Sequence, residues 1–213
     1  KKCGTFGDIA CFSFFSNKNL STGEGGMFVA KDAKTDEQAR LLRSHGMTSM
    51  TVERHEGNII SYDVVMPGLN YRFDEIRAAI GLVQLEKFDE SNRKRKVLVE
   101  KYYEELSGIK DLIIPWKDSS LQRLSSYHIF PVLLPAQVNR IDIITKLKDK
   151  RIQTSIHYPS IKKFKYYSQI GLYSLPIADE ISARVLTLPL YAELSVENVK
   201  FVCVEFKNSI HGI

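Results

Sequence analysis

The stretch "CFSFFSNKNLSTGEGG" (residues 11–26) joins an apolar run to a polar, glycine-rich loop, with Lys18 at the joint. Apolar residues continue almost unbroken from Ile9 to Phe15. A run of this kind reads as a strand covered on both faces in a parallel sheet. Met27 to Ala30, after Gly25-Gly26, reads as a second short buried strand closed by Lys31-Asp32. Lys18 therefore leaves a sheet edge of the sort where open α/β sheets bind ligands. Its neighbours Ser13, Ser16, Asn17 and Asn19 offer small hydroxyl and amide groups. Together with glycine N–H groups these suit phosphate oxygens.

The two common phosphate loops are absent. No glycine precedes a lysine as G-x-x-x-x-G-K-[ST] requires, and G-x-G-x-x-G breaks at Phe28 after Gly23 and Gly25. What remains is a phosphate-friendly loop carrying a lysine that can attack a carbonyl when partly withdrawn from water. Those are the two anchors that pyridoxal 5'-phosphate asks of a protein. The bland alternative is a solvated lysine in a polar loop.

The totals are those of an ordinary globular chain: 213 residues, 44% hydrophobic and 26% charged. The longest apolar stretches, Ile9–Phe15 and Ile129–Leu134, fall far below the roughly 20 residues that span a bilayer. Three widely spaced cysteines, Cys3, Cys11 and Cys203, form no C-x-x-C pair. A disulfide framework is not expected, and a reducing, cytoplasmic setting is. The five histidines show no H-x-x-x-H spacing, so no metal site is expected. A net charge of +5 favours an anionic ligand without indicating nucleic acid. The basic run "RKRK" (93–96) merges into Glu100, Glu104 and Glu105 and reads as a solvated helix face. The chain starts without methionine, at "KKCGTFGD", which reads like mid-domain sequence.

Along the chain, Thr35 and Gln38 form a capping-box pattern for a helix that Gly46 stops. Residues 47–73 read as irregular. Asp74 is a predicted N-cap for a helix with Ile76, Ile80 and Val83 on one face, followed by a more polar helix ending near Gly108. Beyond residue 110 the pattern is strand (128–134), helix (140–150), strand (152–156), helix (177–184), strand (185–188) and a final helix. That helix has Ser195 as cap and Val199, Val202 and Phe206 as its stripe. This alternation predicts a small α/β unit.

Six segments in order carry a resemblance: "GTFGDIACFSFFSNKNLSTGEGGMFVAKD" (4–32), "LLRSHGM" (41–47), "LNYRFDEIRAAIGLVQLEKFDE" (69–90), "SSYHIFPVLL" (125–134), "IHYPSI" (156–161) and "VLTLPLYAELSVENV" (185–199). The chain resembles the DegT/DnrJ/EryC1/StrS group of sugar-nucleotide aminotransferases, and matches about the C-terminal half of a member. The resemblance implies an α/β, aspartate-aminotransferase-like fold (PLP fold type I). Residues 1–110 would be the C-terminal part of the large, cofactor-binding domain and 111–213 the small C-terminal α/β domain. It implies transfer of an amino group from glutamate or glutamine to a nucleotide-linked keto-sugar, in cell-surface polysaccharide or amino-sugar biosynthesis. It also implies a homodimer with shared active sites, and neither nucleic acid nor membrane as partner.

Position by position, Lys18 takes the place of the Schiff-base lysine and Ser13 that of the serine on the cofactor phosphate. Asn70 matches an asparagine reaching that phosphate from the neighbouring subunit. Arg72, His157 and Tyr158 match residues that bind the sugar nucleotide. Each has a plainer reading: a local hydrogen bond for Ser13, a turn for Asn70, an ion pair with Asp74 for Arg72, a structural role for His157. His45 reads as a helix end. Lysine at position 18 favours amino transfer over dehydration, since dehydrating relatives carry histidine there. Arg151 and Ser155 stand where relatives usually carry glycine. The family's pyridinium-pairing aspartate would lie upstream of Lys1, so the 213 residues alone are expected to catalyse poorly. The alternative from another class is a non-catalytic folding or dimerisation module.

Overall fold

A computed structural model describes residues 1–48, 61–117, 125–171 and 174–211; part of the irregular stretch expected over 47–73 lies outside the described residues. By packing, the chain divides into two units, Lys1–Phe88 and Asp89–Ile213.

In the first unit, β1 (Ile9–Ser13) and β2 (Gly26–Ala30) pair antiparallel, with Ile9 opposite Ala30 and Ser13 opposite Gly26. This corrects the parallel, doubly covered strand and its buried partner that the apolar runs predict: Phe12, Met27 and Phe28 are exposed. An apolar run records that both faces of a strand are greasy. Burial needs a layer on each side; here α1 (Ala33–Arg43) packs against β2, while Phe12, Met27 and Phe28 stay exposed.

The capping box at Thr35 is also corrected. The cap of α1 (Ala33–Arg43) is Asp32, whose extended backbone lets its carboxylate accept the Thr35 N–H at 2.9 Å. That bond holds the Asp32 carboxyl below its ordinary range. The helix stops where predicted. Ser44 N–H and Gly46 N–H both donate to Leu41 C=O, at 3.0 and 2.7 Å, as His45 and Gly46 take positive φ of 61° and 71°. Asp74 caps α2 (Glu75–Glu86) as expected, accepting the Arg77 N–H at 2.8 Å. The predicted stripe is on this helix but uncovered, with Ile76 77% exposed.

The second unit has a core of its own. α3 (Phe88–Leu106) buries Leu98, Val99, Tyr102 and Leu106 in it, so by packing this helix joins the second unit. The expected division near residue 110 placed α3 in the first. β3 (Phe130–Leu133) and β4 (Val185–Leu188) pair antiparallel, Phe130 opposite Leu188 and Pro131 opposite Thr187. Single bridges at Ile113–Leu133 and Ser155–Thr187 widen this sheet at both edges. The strand predicted over 152–156 shrinks to the Ser155 bridge, because the chain bends at His157 after one residue in register.

Four further α-helices, α4 (Arg140–Asp149), the one-turn α5 (Lys165–Ser168), α6 (Pro176–Arg184) and α7 (Val196–His211), and a 3-10 turn at Ile161–Lys163 belong to the described part of this unit. Ser195 caps α7, accepting the Asn198 N–H at 3.1 Å, and Val199, Val202 and Phe206 are buried as predicted. Tyr102 is fully buried, stacked on Phe130 at 4.4 Å, and donates to Pro189 C=O at 2.8 Å. Cys203 is buried beside it in the core, which pushes its thiol up to about 12.

α4 ends in a Schellman turn. Ile152 N–H donates to Leu147 C=O at 2.9 Å and Arg151 N–H to Lys148 C=O at 2.8 Å, which places Arg151 in the left-handed region at φ 59°. Glycine would take this conformation without a side-chain penalty. Ser155, by contrast, sits in the bridge to Thr187, outside the positive-φ region that favours glycine.

Two outcomes follow from these environments. Arg151→Gly should stabilise the second unit by about 1 kcal/mol, read as a higher urea midpoint, because it removes a left-handed side chain. A maleimide should label exposed Cys3 and Cys11 in the folded chain but reach buried Cys203 only on unfolding, as mass spectrometry would count.

Candidate active site

Two hydrogen bonds build the Lys18 loop. Phe14, the residue after β1, donates its N–H to Gly25 C=O at 2.9 Å and accepts the Thr22 N–H at 2.9 Å. Between those ties the chain turns, with Lys18 N–H on Phe15 C=O at 2.9 Å. The half-buried Lys18 has no ion-pair or side-chain hydrogen-bond partner among the described residues. Ser13 makes the local contact that its plainer reading anticipates, its Oγ accepting the Phe15 N–H at 3.3 Å. This leaves the hydroxyl hydrogen to donate elsewhere. No hydrogen bond joins Ser13 to Lys18.

Thr22 is the buried centre of this arrangement, its hydroxyl donating to Glu24 C=O at 2.8 Å. Gly25, at φ 147°, lies so close to Phe73 that a Cβ there would meet the ring at 2.5 Å and Thr22 Oγ1 at 2.9 Å. Phe73 also meets Phe14 edge-on, with ring centroids 6.5 Å apart. The residue following Arg72 is thus packed against the Lys18 loop. Sequence reading passed over Thr22 and Phe73, since neither belongs to a periodic pattern. Only the run "LNYRF" beside the α2 cap marked the region.

The end of α1 positions the other predicted residues of this unit. Leu69 N–H donates to Leu42 C=O at 2.7 Å and Tyr71 N–H to Arg43 C=O at 2.9 Å, so residues 69–71 satisfy carbonyls that the helix leaves open. Asn70 is bridged to Ser44 by this pairing. Its Oδ1 accepts the Arg72 Nε–H at 3.2 Å, so the structure brings Asn70 and Arg72 together. The suggested Arg72–Asp74 ion pair does not form, because Asp74 takes Arg77 at 2.8 Å.

His157 and Tyr158 belong to the second unit. The His157 ring meets Tyr158 edge-on at 5.0 Å, and its Nδ1 lies 2.9 Å from the Thr187 hydroxyl. Tyr158 is 70% exposed. Further along, Lys162 pairs with Asp179 and holds that carboxyl below its usual range. Among the described residues no group of three or more His, Cys, Asp or Glu side chains is placed to hold a metal ion. Among them, too, no helix is long and apolar enough to cross a membrane.

The profile of the DegT/DnrJ/EryC1/StrS aminotransferase family matches residues 1–207. The chain belongs to that family. It is 31% identical to the spore coat polysaccharide biosynthesis protein SpsC of Bacillus subtilis, over 98% of this chain and 55% of that protein. It is also 31% identical to the dTDP-4-dehydro-2,3,6-trideoxy-D-glucose 4-aminotransferase of Saccharopolyspora spinosa, over 98% of this chain and 54% of the relative. Among solved structures, the putative sugar aminotransferase Spr1654 of Streptococcus pneumoniae superposes in its PMP-form with a TM-score of 0.88, at 25% identity, over 99% of this chain and 55% of that one. Its PLP-form gives 0.84 over 99% and 53%. The chain therefore spans about half the length of the relatives it matches, as a partial α/β aspartate-aminotransferase-like fold.

The donors in the first unit fit pyridoxal phosphate. Lys18 supplies an amine with no ion-pair partner among the described residues, Ser13 a hydroxyl hydrogen for a phosphate oxygen, and Asn70 an amide. Gly25→Ala should cost roughly 1–3 kcal/mol, since the methyl has no room beside Phe73 and φ is unsuited to it. Faster proteolytic cleavage between residues 14 and 26 would report it.

Proposed function

We propose that the protein acts as a pyridoxal-phosphate-dependent aminotransferase that moves an amino group from glutamate or glutamine to a keto-sugar carried on a nucleotide. The observation that carries this reading is Lys18, which lies in the loop after β1 with no ion-pair partner among the described residues, in a chain of an aminotransferase family. The names of the relatives support sugars as substrates and polysaccharide or amino-sugar biosynthesis as the setting. In this reading residues 1–110 belong to the large domain and 111–213 form the small one, in a cytoplasmic homodimer.

Bound to the protein, pyridoxal phosphate supplies an electron sink for the carbon that gains or loses the amino group. Lys18 holds the cofactor covalently. Its Nζ would also be the group that carries the proton to and from that carbon. The Ser13 hydroxyl binds the cofactor phosphate, and Asn70 does so across the subunit boundary. Arg72 offers its guanidinium to the substrate diphosphate, with Asn70 Oδ1 orienting its Nε edge. His157 and Tyr158 line the sugar-nucleotide side.

A second reading, a non-catalytic folding or dimerisation module, is favoured by the uncovered apolar side chains of the first unit. Borohydride reduction in the presence of pyridoxal phosphate, followed by peptide mapping, separates the two. The aminotransferase reading expects one modified peptide, containing Lys18, and none in Lys18→Ala. It also expects a loss of at least about 10³-fold in turnover for that variant when the complete enzyme is assayed. Absence of the Lys18 adduct in the complete enzyme leaves only the module.

A further inference from the structure

We infer that Thr187 is a positioning residue for His157: it fixes the ring as the neutral tautomer protonated on Nε2 and so makes it a hydrogen-bond donor toward the substrate. This rests on the proposed place of His157 at the sugar-nucleotide pocket.

Thr187 holds the segment twice. Its main chain makes both bonds of the Ser155 bridge, with Ser155 N–H donating to Thr187 C=O at 3.1 Å and Thr187 N–H donating to Ser155 C=O at 2.8 Å. Pro131 stands opposite Thr187 in β3, and both polar main-chain groups of Thr187 face Ser155, since a strand residue directs its N–H and C=O to the same edge. Two residues on from that bridge, the His157 ring returns to the same residue, Nδ1 against Thr187 Oγ1 at 2.9 Å.

The direction of that last bond follows from counting donors. Thr187 is only 5% exposed, and the imidazole is the sole partner of its hydroxyl among the described residues. Were Nδ1 to carry the proton and donate, the buried threonine O–H would be left without an acceptor, which folded proteins avoid. With the hydroxyl donating to Nδ1, both groups are satisfied and the ring proton resides on Nε2. A neutral Nε2–H is a donor and has no lone pair with which to act as a base. It suits an oxygen: a phosphate, a sugar hydroxyl or the keto group of the acceptor. The tautomer of a histidine is commonly set in this way, by the partner of its other nitrogen.

Long-range ¹H–¹⁵N spectra of the 213-residue chain, above the imidazolium range and assigned by loss of signal in His157→Gln, test the tautomer. The expected result is a pyridine-like Nδ1 and a pyrrole-like Nε2 for His157. Thr187→Val, close in shape, should convert this to a mixture of tautomers, and Thr187→Ser should restore it. A pyrrole-like Nδ1 in the unaltered protein, or an unchanged spectrum in Thr187→Val, overturns the inference. In the cofactor-loaded enzyme, Thr187→Val should weaken binding of UDP-glucose or dTDP-glucose, used as probes, roughly five- to tenfold. Thr187→Ser should bind as the unaltered protein does. If the spectra behave as expected while His157→Gln binds both probes normally, Thr187's action on the ring stands. The place of His157 at the pocket is then what fails.

Discussion

Phe14 closes the candidate site. With its N–H on Gly25 C=O and its C=O taking the Thr22 N–H, it fixes both ends of the turn that carries Lys18. The same residue puts its ring against Phe73 and so ties the turn to the segment that bears Asn70 and Arg72. Everything nearby is arranged within that constraint: Thr22 beneath the loop, Gly25 where no side chain fits, and the carbonyl end of α1 holding residues 69–71. Main-chain hydrogen bonds hold the backbone of Lys18 within that turn.

The two units are held by different forces. In the second, side chains from α3, α4 and α7 close over β3 and β4, and fully buried Tyr102, Val132, Leu186 and Phe206 make a dry core. Apolar burial is the dominant favourable term in folding, so this unit carries most of the stability of the chain. The first is organised by caps, turns and helix-end carbonyls, while Phe12, Met27 and Ile76 remain in water. It carries Ser13, Lys18, Asn70 and Arg72, whereas the second holds the mass of the core.

Polar groups in the second unit are used to aim side chains. Arg140 donates to Ser182 C=O and Val185 C=O at 2.5 and 3.0 Å, anchoring the turn from α6 into β4. Ser182 Oγ accepts the Ser160 N–H at 2.7 Å, fastening the chain beyond Tyr158 to α6. Thr187 then orients the His157 ring. The segment "IHYPS" is thereby gripped on both sides of the histidine.

Much was legible in the sequence because it depends on neighbours along the chain. The Asp74 and Ser195 caps, the stop at Gly46, the α7 stripe and the Lys18 loop are all local, governed by a few residues and their backbone angles. The six ordered segments carry the family resemblance that the profile over residues 1–207 bears out. Tertiary structure alone decided what lies across space. It made β1 and β2 an antiparallel pair with open faces, since burial is set by the layers present and not by the apolarity of a strand. It let Asp32 displace the expected capping box, and it reduced residues 152–156 to one bridge. It joined His157 to Thr187, 30 residues apart in sequence. Local patterns state what a residue can bond to, and only the packed chain brings the partner within reach.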